Sequence, residues 1–467
     1  MASLAAQPIS SKLWLRDSNQ SILICSLLLR CSPRCKLWVQ ATLDPVNCLP
    51  AMRVLYLSTR FCWPITSGAH LRDFYLARQL AAKSTLTYLG LDREMDGPVG
   101  SSRRERLEAL PDSEMVRVRR QAGYGPIDLV RGILGPTPVS ILNFTAPQIM
   151  DKIERVLREE RFDIIQFEGV HLLVYARRIR QIAANTPLIC DWHNIESEIQ
   201  RRYAQTSASP ARRLYARRTA QLLKRAEREV LRLANAHTVC SERERQVLLE
   251  QVPEAHITVI PNGVDTAFFA ATSAVAEGLR QNVVFVGSMD YHANIDAAMF
   301  FAKAIWPGLR ERRPDLRFFI VGSKPVPEVV ELANQPGITV TGTVEDLRPH
   351  YRKAVMVVVP VRVASGTRLK VLEAMAAGVP VISTRLGAEG LAVTPGKDIL
   401  IADTPAEIIN TAAALHQDTA TWHELTANAL RLVQVEYDWF VIGERLKRVY
   451  TELLARRPHA NVVGAER

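Results

Sequence analysis

From Arg53 onward, short apolar runs rich in β-branched residues alternate with longer amphipathic stretches. A run of four to eight such residues predicts a buried strand, and an amphipathic stretch of helical length predicts the helix that returns the chain to the next strand. Repeated units of this kind build a mainly parallel sheet with helices on its faces. The pattern therefore predicts an α/β fold.

Two groups of strands follow one another along the chain. The first predicted group is 54–58, 85–90, 115–118, 163–167, 187–191, 237–240 and 258–260, with helices near 69–83, 147–160, 171–184 and 211–234. The second predicted group is 283–286, 318–321, 338–341, 355–359, 379–383 and 399–401. Each group is long enough for a complete doubly wound domain. We therefore expect two Rossmann-like halves in succession.

The segment 261–265, Pro-Asn-Gly-Val-Asp, has turn chemistry, and the stretch 270–276 after it has no clear periodicity. The predicted limits are an N-terminal domain over 52–270, a C-terminal domain over 277–436, a crossover helix over 437–456 and a tail over 457–467. Residues 1–51 precede the first strand and are predicted to be a disordered extension or the product of an upstream start codon.

Composition and charge narrow the class of protein. The chain has 467 residues, 48% of them apolar and 23% charged, which is ordinary globular usage and argues against a disordered protein. Its net charge of +11 favours anionic partners. Much of the excess comes from an arginine-rich helix over 211–232. That helix has two interpretations, a surface for an anionic membrane or an ordinary solvated face.

The cysteines bear on the compartment. Four lie in the first fifty residues and three in the remainder, namely Cys25, Cys31, Cys35, Cys48, Cys62, Cys190 and Cys240. So few cysteines in the main body favour a reduced, cytoplasmic protein, and the early group lacks the spacing of a zinc site. The apolar run 22–29 is too short to span a bilayer.

The clearest chemical signal is the segment 364–380, Ala-Ser-Gly-Thr-Arg-Leu-Lys-Val-Leu-Glu-Ala-Met-Ala-Ala-Gly-Val-Pro. It predicts a strand end, a small-residue loop and a helix start, where free N–H groups and the helix dipole bind anions. Gly366 permits close approach of a phosphate, and Arg368 and Lys370 add charged donors. Glu373, later on the helix, suits the vicinal hydroxyls of a ribose. The alternative is a surface helix with ordinary charges.

This segment resembles the retaining GT-B glycosyltransferases of family 4, bacterial exopolysaccharide enzymes in particular. The resemblance extends over 52–454 and includes the sequence Phe-Val-Gly-Ser at 285–288, the segment 261–265 and the late helix at Trp439. It implies two facing Rossmann-like domains with a C-terminal helix that crosses back to the first. It also implies transfer of a sugar from a nucleotide diphosphate sugar with retention of configuration, without a metal or a protein nucleophile.

The resemblance implies further partners and a place in the cell. The acceptor would be a glycan or a polyprenyl-diphosphate-linked sugar. The enzyme would work in the cytoplasm, with peripheral contact to an anionic membrane as a possible partner interaction, and would bind no nucleic acid.

In the donor half, Glu373 matches the second glutamate of the family's EX7E signature, which holds the donor ribose. Ser365 stands at the first glutamate position. The family's usual basic pair is also missing, because Ser288 stands where arginine is common and Asp-Tyr-His-Ala-Asn at 290–294 replaces the stretch that contains lysine. We therefore expect Arg368 and Lys370 to supply the charge that binds the diphosphate. The other predicted donor-binding residues are Gly287, Ser365, Gly366, Thr367, Thr343 and Val344. Thr343 and Val344 would contact the nucleobase of the donor, or would belong to an ordinary strand-to-helix connection.

In the first half, Gly68 and Ala69 open a helix where the family has a Gly-Gly turn that approaches the phosphate or the acceptor. His193 follows a strand and resembles the family's histidine near the donor sugar, and Glu168 at another strand end is an acceptor-side candidate. The predicted catalytic residues are His193 and Glu373.

Three other functions share some of the features that indicate transfer. A GT-B sugar-nucleotide epimerase would bind the same nucleotide. A non-catalytic nucleic-acid-binding protein would fit the charge, but it would need aromatic residues among its basic ones, and these are missing here. A dinucleotide-dependent oxidoreductase would need a GxGxxG turn after a strand, which neither Gly68 nor Gly322 provides.

Overall fold

The computed structural model describes residues 52–65, 67–110, 113–121, 123, 125–207, 209–270, 280–363 and 368–456. The predicted extension 1–51 and the tail 457–467 lie outside the described residues.

The first sheet has eight strands in the order β3-β4-β2-β1-β5-β6-β7-β8. They are β1 (Arg53–Ser58), β2 (Thr85–Asp92), β3 (Ser102–Glu105), β4 (Ser113–Arg119), β5 (Ile164–Glu168), β6 (Leu188–Trp192), β7 (Ala236–Val239) and β8 (Ile257–Val259). Among the described pairings of this sheet, β3 against β4 alone is antiparallel. The strand β3 was not predicted, because Ser-Arg-Arg-Glu carries no apolar residue and lies at the exposed sheet edge.

Helices cover both faces of this sheet. They are α1 (Gly68–Ala81), α2 (Pro126–Leu134), α3 (Val139–Leu142), α4 (Pro147–Glu159), α5 (Leu173–Ile182), α6 (Glu196–Thr206), α7 (Pro210–Leu233) and α8 (Glu242–Leu249). A 3₁₀ turn, Val170–Leu172, precedes α5. Leu55 and Leu57 of β1 join one apolar core, whereas Val54 and Tyr56 join another. The alternation of side chains along a strand thus gives the sheet a core on each face.

The second sheet has six strands, all parallel as described, in the order β11-β10-β9-β12-β13-β14. They are β9 (Asn282–Val286), β10 (Arg317–Val321), β11 (Ile338–Val340), β12 (Ala354–Val359), β13 (Val381–Ser383) and β14 (Leu400–Ile401). Its helices are α9 (Thr266–Ala270), α10 (His292–Phe300), α11 (Trp306–Arg312), α12 (Pro327–Val330), α13 (Arg348–Arg352), α14 (Leu369–Ala376), α15 (Pro405–Gln417) and α16 (Thr419–Leu432). A 3₁₀ turn, Glu331–Asn334, follows α12, and π-helical turns at Phe301–Ile305 and Val433–Tyr437 follow α10 and α16.

The last helix, α17 (Trp439–Ala455), returns to the first sheet. Trp439, Ile442 and Leu446 share an apolar core with β1, and the Trp439 ring stacks on Tyr75 of α1 with centroids 5.0 Å apart. The predicted fold class, two Rossmann-like halves with a C-terminal helix that crosses back, is confirmed. The exact domain limits stay a prediction. Within the described residues, no helix combines the length and apolar character needed to cross a bilayer.

Both sheets reverse their strand order near the middle. In the first, β1 lies between β2 and β5, and in the second, β9 lies between β10 and β12. The crossover helices on either side of such a point run to opposite faces and leave a crevice at the carboxyl ends of the strands. The candidate functional residues should therefore lie at these two crevices.

Packing of α17 on the first sheet should contribute strongly to stability. We expect Leu446→Ala, which shortens a side chain that is 1% exposed, to lower the free energy of unfolding by about 2–5 kcal/mol in urea titrations. The control is Phe440→Ala on the same helix, where the ring is 62% exposed, with an expected loss under about 1 kcal/mol. Equal losses in the two variants would contradict the docking.

Candidate active site

Three candidate functional side chains meet at the carboxyl ends of adjacent strands in the first sheet. Glu168 is the last residue of β5, His193 directly follows β6, and Arg60 lies two residues beyond β1. Because β1, β5 and β6 are parallel neighbours, residues far apart in sequence are brought to one edge. This edge borders the crevice at the point where the strand order reverses.

Glu168 is a buried carboxylate with a full set of donors. It accepts hydrogen bonds from the Ser58 hydroxyl at 2.7 Å and from the Thr59 amide and hydroxyl at 3.0 and 2.6 Å. Burial raises the pKa of Glu168, but the charges of Arg60 and His193 and these hydrogen bonds outweigh it and hold the pKa well below its usual range. Glu168 is therefore ionised and is held firmly at the sheet edge.

Arg60 holds this group together. Its Nη1 lies 2.7 Å from Glu168 Oε1, 3.3 Å from Asp73 Oδ2 and 3.1 Å from His193 Nδ1. Asp73, Glu168 and His193 offer ligand atoms within 4.8 Å of one another, a spacing that would suit a metal ion. A guanidinium nitrogen lies against all three, so the positive charge at their centre comes from the chain itself.

A second ion pair lies below this group. Arg72 of α1 contacts Asp191 of β6 with two nitrogens, at 2.7 Å and 3.1 Å, and both side chains are buried. Its Nη1 also donates to the carbonyls of Ile260 and Pro261 at 2.8 and 3.2 Å. Burial raises the pKa of Asp191, but Arg72 and His193 outweigh it and lower the pKa well below its usual range.

His193 lies between these carboxylates. Its Nε2 is 3.1 Å from Asp191 Oδ2 and 3.3 Å from Asp73 Oδ1, and its Nδ1 is 3.2 Å from Glu168 Oε1. Three carboxyl groups face two guanidiniums here, so a protonated imidazole balances the charge. Burial lowers the pKa of His193, but Glu168 and Asp73 outweigh it and raise the pKa to about 10. At neutral pH the imidazole is a hydrogen-bond donor and a cation, not a base.

The helix α1 begins opposite the second half. Ser67 caps it by accepting from the His70 amide at 3.3 Å, and Gly68 and Ala69 form its first turn. A Cβ atom on Gly68 would lie 3.0 Å from Leu369 Cδ1 at the start of α14. The starts of two helices, one from each sheet, therefore meet here.

On the second sheet, Lys370 of α14 lies at the end of β9. Its Nζ donates to Asn294 Oδ1 at 2.8 Å and lies 4.3 Å above the ring centre of Phe285. Asn294 in turn donates to the Ser288 carbonyl at 2.9 Å. A Cβ atom on Gly287 would lie 3.0 Å from Lys370 Nζ, so glycine leaves room for the ammonium. Burial, with Arg368 adding to it, lowers the pKa of Lys370 to about 7.

Glu373 follows Lys370 by three residues and so shares its face of α14. One carboxylate oxygen accepts from the Tyr351 hydroxyl at 3.1 Å, and the residue is partly buried. Burial raises the pKa of Glu373 from its ordinary value. The other oxygen is not engaged by Tyr351 and can accept from a ligand.

Of the remaining predicted donor residues, Ser365, Gly366 and Thr367 lie outside the described residues. Arg368 directly precedes α14, and burial lowers its pKa.

Thr343 and Val344 follow β11, and the Gly342 carbonyl before them accepts from the Gly322 amide at 3.3 Å. Gly322 itself lies against the Gly287 backbone. This loop therefore shares the sheet edge with Gly287. The roles assigned to all these site residues stay predictions.

Several residues of the site were not singled out from the sequence. Arg60, Arg72, Asp73 and Tyr351 carry no motif of their own, and their roles depend on which strands are neighbours. Asn294 was noted only as part of a stretch that departs from the family pattern. The one available signal was the placement of Arg60 just after the first strand, since polar residues at that edge are functional candidates.

One further group links the two halves beside the crevice. Glu389, which follows β13, lies 3.9 Å from Arg202 and 3.6 Å from Arg243, and both arginines belong to helices of the first half. This contact was also not predicted.

Both halves match family models of glycosyltransferases. Residues 108–268 match the model described as Glycosyltransferase Family 4, and residues 280–418 match the model described as Glycosyl transferases group 1. An uncharacterized 44.6 kDa protein in the cps region of Klebsiella pneumoniae is 23% identical over 165 residues, which are 34% of this chain. The match spans 42% of the length of that protein.

Solved structures share the fold. Sucrose-phosphate synthase from Thermosynechococcus elongatus aligns with 86% of this chain and 99% of its own at a TM-score of 0.63 and 20% identity. HepE from Anabaena, in complex with UDP and glucose, aligns with 86% of this chain and 100% of its own, at a TM-score of 0.58 and 15% identity. A UDP-forming α,α-trehalose-phosphate synthase from Burkholderia vietnamiensis aligns with 86% of this chain and 99% of its own, at a TM-score of 0.61 and 14% identity.

The raised pKa of His193 makes stability depend on pH. The folded pKa of about 10 exceeds the ordinary 6.5, so the stabilisation is fully present below pH 6.5 and is lost as the pH rises through 10. We expect His193→Gln to be less stable than the wild type by on the order of 4 kcal/mol at pH 6.5, measured by urea unfolding, and the difference to shrink toward pH 10.

The matched control is His256→Gln, because His256 is exposed. Its difference from the wild type should be small. A His193→Gln difference that stayed constant or grew with pH would show that the imidazole is neutral in the folded protein.

Proposed function

The chain belongs to the GT-B glycosyltransferases of the family 4 and group 1 type, and we propose that it transfers a sugar from a nucleotide diphosphate sugar with retention of anomeric configuration. The observation that carries the proposal is the pairing of Lys370 and Glu373 on one face of α14, whose start meets the start of α1 at Gly68. The ammonium of Lys370 would bind a diphosphate, and the carboxylate of Glu373 would bind the hydroxyls of a ribose.

The proposed donor site uses the residues that this chain has in place of the family's basic pair. The ammonium of Lys370, held by Asn294 beside Gly287, would neutralise the diphosphate. The N–H groups at the start of α14 would add to it. Glu373 would accept the ribose hydroxyls with the oxygen that Tyr351 does not engage. The UDP complexes of HepE, a protein of the same fold, support a nucleotide sugar as donor.

In the proposed reaction the bond between the anomeric carbon and the diphosphate oxygen breaks, and the acceptor oxygen bonds to the same face of that carbon. The proton of the acceptor hydroxyl passes to the departing phosphate oxygen. Lys370 stabilises the charge that develops on the diphosphate. His193, whose two N–H groups are engaged by the carboxylates of Asp73, Glu168 and Asp191, would lie near the donor sugar and contribute its positive charge there. The chain supplies no nucleophile in this scheme.

We further propose that transfer needs no metal. In the cluster of Asp73, Glu168 and His193, Arg60 Nη1 lies within 3.3 Å of an atom of each residue. A cation there would have to displace the guanidinium and meet its charge at close range. The diphosphate would instead be neutralised from the second half, by Lys370 and the start of α14.

The proposed acceptor is a glycan or a polyprenyl-diphosphate-linked sugar, in the synthesis of an exopolysaccharide or another cell-surface polysaccharide, and the transferred group is a hexose. The similarity to a protein from the cps region of Klebsiella pneumoniae supports that setting. The enzyme would work in the cytoplasm, at the inner face of the membrane.

The first test is a thermal-shift screen of the full chain against UDP, GDP, ADP and their sugar conjugates. One nucleotide at about 100 times its Kd should stabilise the wild type by roughly 2.7 kcal/mol. Glu373→Ala should abolish most of this gain, because the ribose loses its acceptor. Glu331→Ala, an exposed glutamate of the same half, is the control and should keep the gain.

The conjugate that binds is then followed by proton NMR for slow release of its sugar to water. The first free sugar to appear should have the anomeric configuration of the donor. The opposite anomer would exclude retention, and an epimerised sugar nucleotide without release would favour an epimerase. No stabilisation by any nucleotide would exclude a donor site at α14.

Donor binding should also depend on the charge of Lys370. Its pKa is about 7 in the free protein, and a bound diphosphate raises that pKa, so affinity is greatest below pH 7 and falls as the pH rises above it. We expect the Kd for the sugar conjugate, measured by calorimetry, to increase up to about tenfold per pH unit between 7 and 9. The conjugate has no phosphate that titrates in this range.

Lys370→Met should bind weakly and without this pH dependence. Lys324→Met, at an exposed lysine of the same half, should retain both the affinity and its pH dependence. A wild-type Kd that is flat from pH 7 to 9 would mean that Lys370 does not meet the diphosphate.

A further inference from the structure

Large apolar side chains are exposed together at the ends of two helices in the first half. Val130, Ile133 and Leu134 of α2 are 57%, 45% and 76% exposed, and Leu214 and Tyr215 of α7 are 71% and 40% exposed. We name these five residues the apolar tip. Single exposed apolar residues are ordinary, but a group of five marks a surface that meets an apolar partner.

The two helices are joined at this point. Arg218 Nη2 donates to the carbonyls of Leu134 and Gly135, at 3.1 Å and 3.0 Å, so the end of α2 lies against α7 one turn from Leu214. Every residue from 210 to 215 is exposed, all around the helix. The start of α7 therefore projects from the domain and carries Leu214 and Tyr215 outward.

Positive charge surrounds the apolar tip. The sequence has no acidic residue between Glu198 and Glu227. The exposed basic residues within that interval and on α2 are Arg131, Arg201, Arg212, Arg213, Arg217, Arg218, Lys224 and Arg225. A partner of this surface must therefore be apolar in the middle and anionic around it.

The apolar tip lies toward the edge of the first sheet that carries His193. The helix α7 has 24 residues and ends just before β7, at the amino edge of the sheet. At 1.5 Å per residue it is about 36 Å long, whereas the four residues of β7 span about 13 Å. Its start thus extends well beyond the carboxyl edge. The helix α2 follows β4 at that same edge.

We propose that the apolar tip inserts into the interface of an anionic lipid bilayer, with the surrounding arginines on the lipid phosphates. Such a surface combines burial of aliphatic side chains below the headgroups with attraction to anionic lipid. It would bring the crevice at His193 to a lipid-linked acceptor. The membrane docking is inferred from the surface residues alone, whereas the identity of the acceptor rests on the proposed function.

The same observations favour a bilayer over other partners. A nucleic acid would satisfy the arginines, but its phosphate backbone offers nothing to Leu134 and Leu214. A second copy of the chain would bury the apolar tip, but it would bring two sets of arginines face to face, where like charges repel. A bilayer with anionic headgroups satisfies both parts of the surface.

The test is flotation of the full chain with vesicles of phosphatidylcholine, with and without phosphatidylglycerol. We expect binding only when phosphatidylglycerol is present, and weaker binding at high salt. Leu134→Ser with Leu214→Ser should weaken binding at least about tenfold. Replacement of three arginines by glutamine should weaken it by about 100-fold. The three are Arg212, Arg213 and Arg217.

Matched controls change the same residue types elsewhere. Val330→Ser with Phe440→Ser removes two exposed apolar side chains away from the apolar tip. The arginine control replaces three exposed arginines of the second half by glutamine, at Arg310, Arg312 and Arg317. Both control variants should bind vesicles as the wild type does. Thermal shifts with the nucleotide sugar should be unchanged in all four variants.

Vesicle binding that is equal in the variants of the apolar tip and in the controls would overturn the proposal. The absence of binding to phosphatidylglycerol vesicles would overturn it as well. In that case a dimer, detected by light scattering, that Leu134→Ser with Leu214→Ser dissociates would indicate a second copy of the chain as the partner, and duplex DNA binding that the arginine variant abolishes would indicate a nucleic acid. Loss of the nucleotide response in the wild type would instead count against the proposed function, and would leave vesicle binding to be judged separately.

Discussion

The buried ion pair between Arg72 and Asp191 is the contact on which the arrangement of the site depends. It joins α1 to the end of β6, and the same guanidinium bonds the carbonyls of Ile260 and Pro261, where the chain leaves the first sheet. Loss of one partner would leave a buried charge uncompensated, which typically costs 3–5 kcal/mol. The pair also fixes Asp191, and Asp191 fixes the ring of His193. One interaction thus holds both the segment that leaves the first sheet and the residues around His193.

The two crevices have charge imbalances of opposite sign. In the first sheet, carboxylates are in excess and the protein balances them with cations that it buries among them, Arg60 and His193. In the second sheet, Lys370 is held where burial and Arg368 oppose its charge, so this side is short of negative charge. The proposed donor site therefore places the anionic group on the second side and a neutral, hydroxyl-rich group on the first. That division matches the two ends of a sugar nucleotide.

Much of the fold could be predicted from the sequence, because parallel strands buried on both faces read as apolar runs, as in β1 and β12. The edge strand β3 could not, since its four polar residues carry no such pattern. In the candidate site, Lys370, Glu373 and His193 could be found because they belong to local motifs. Arg60 and Tyr351 could not, because their partners are 108 and 22 residues away and depend on strand order and helix packing.

The contact of Gly68 with Leu369 has a consequence for the movement of the two halves. It brings together the starts of α1 and α14, and each helix start carries roughly half a positive elementary charge. Like poles at this distance repel, so their approach costs electrostatic energy. In the proposed donor site, a diphosphate beside the two helix starts would reverse the sign of that force. Occupancy of the site and the approach of the two halves would then be thermodynamically linked.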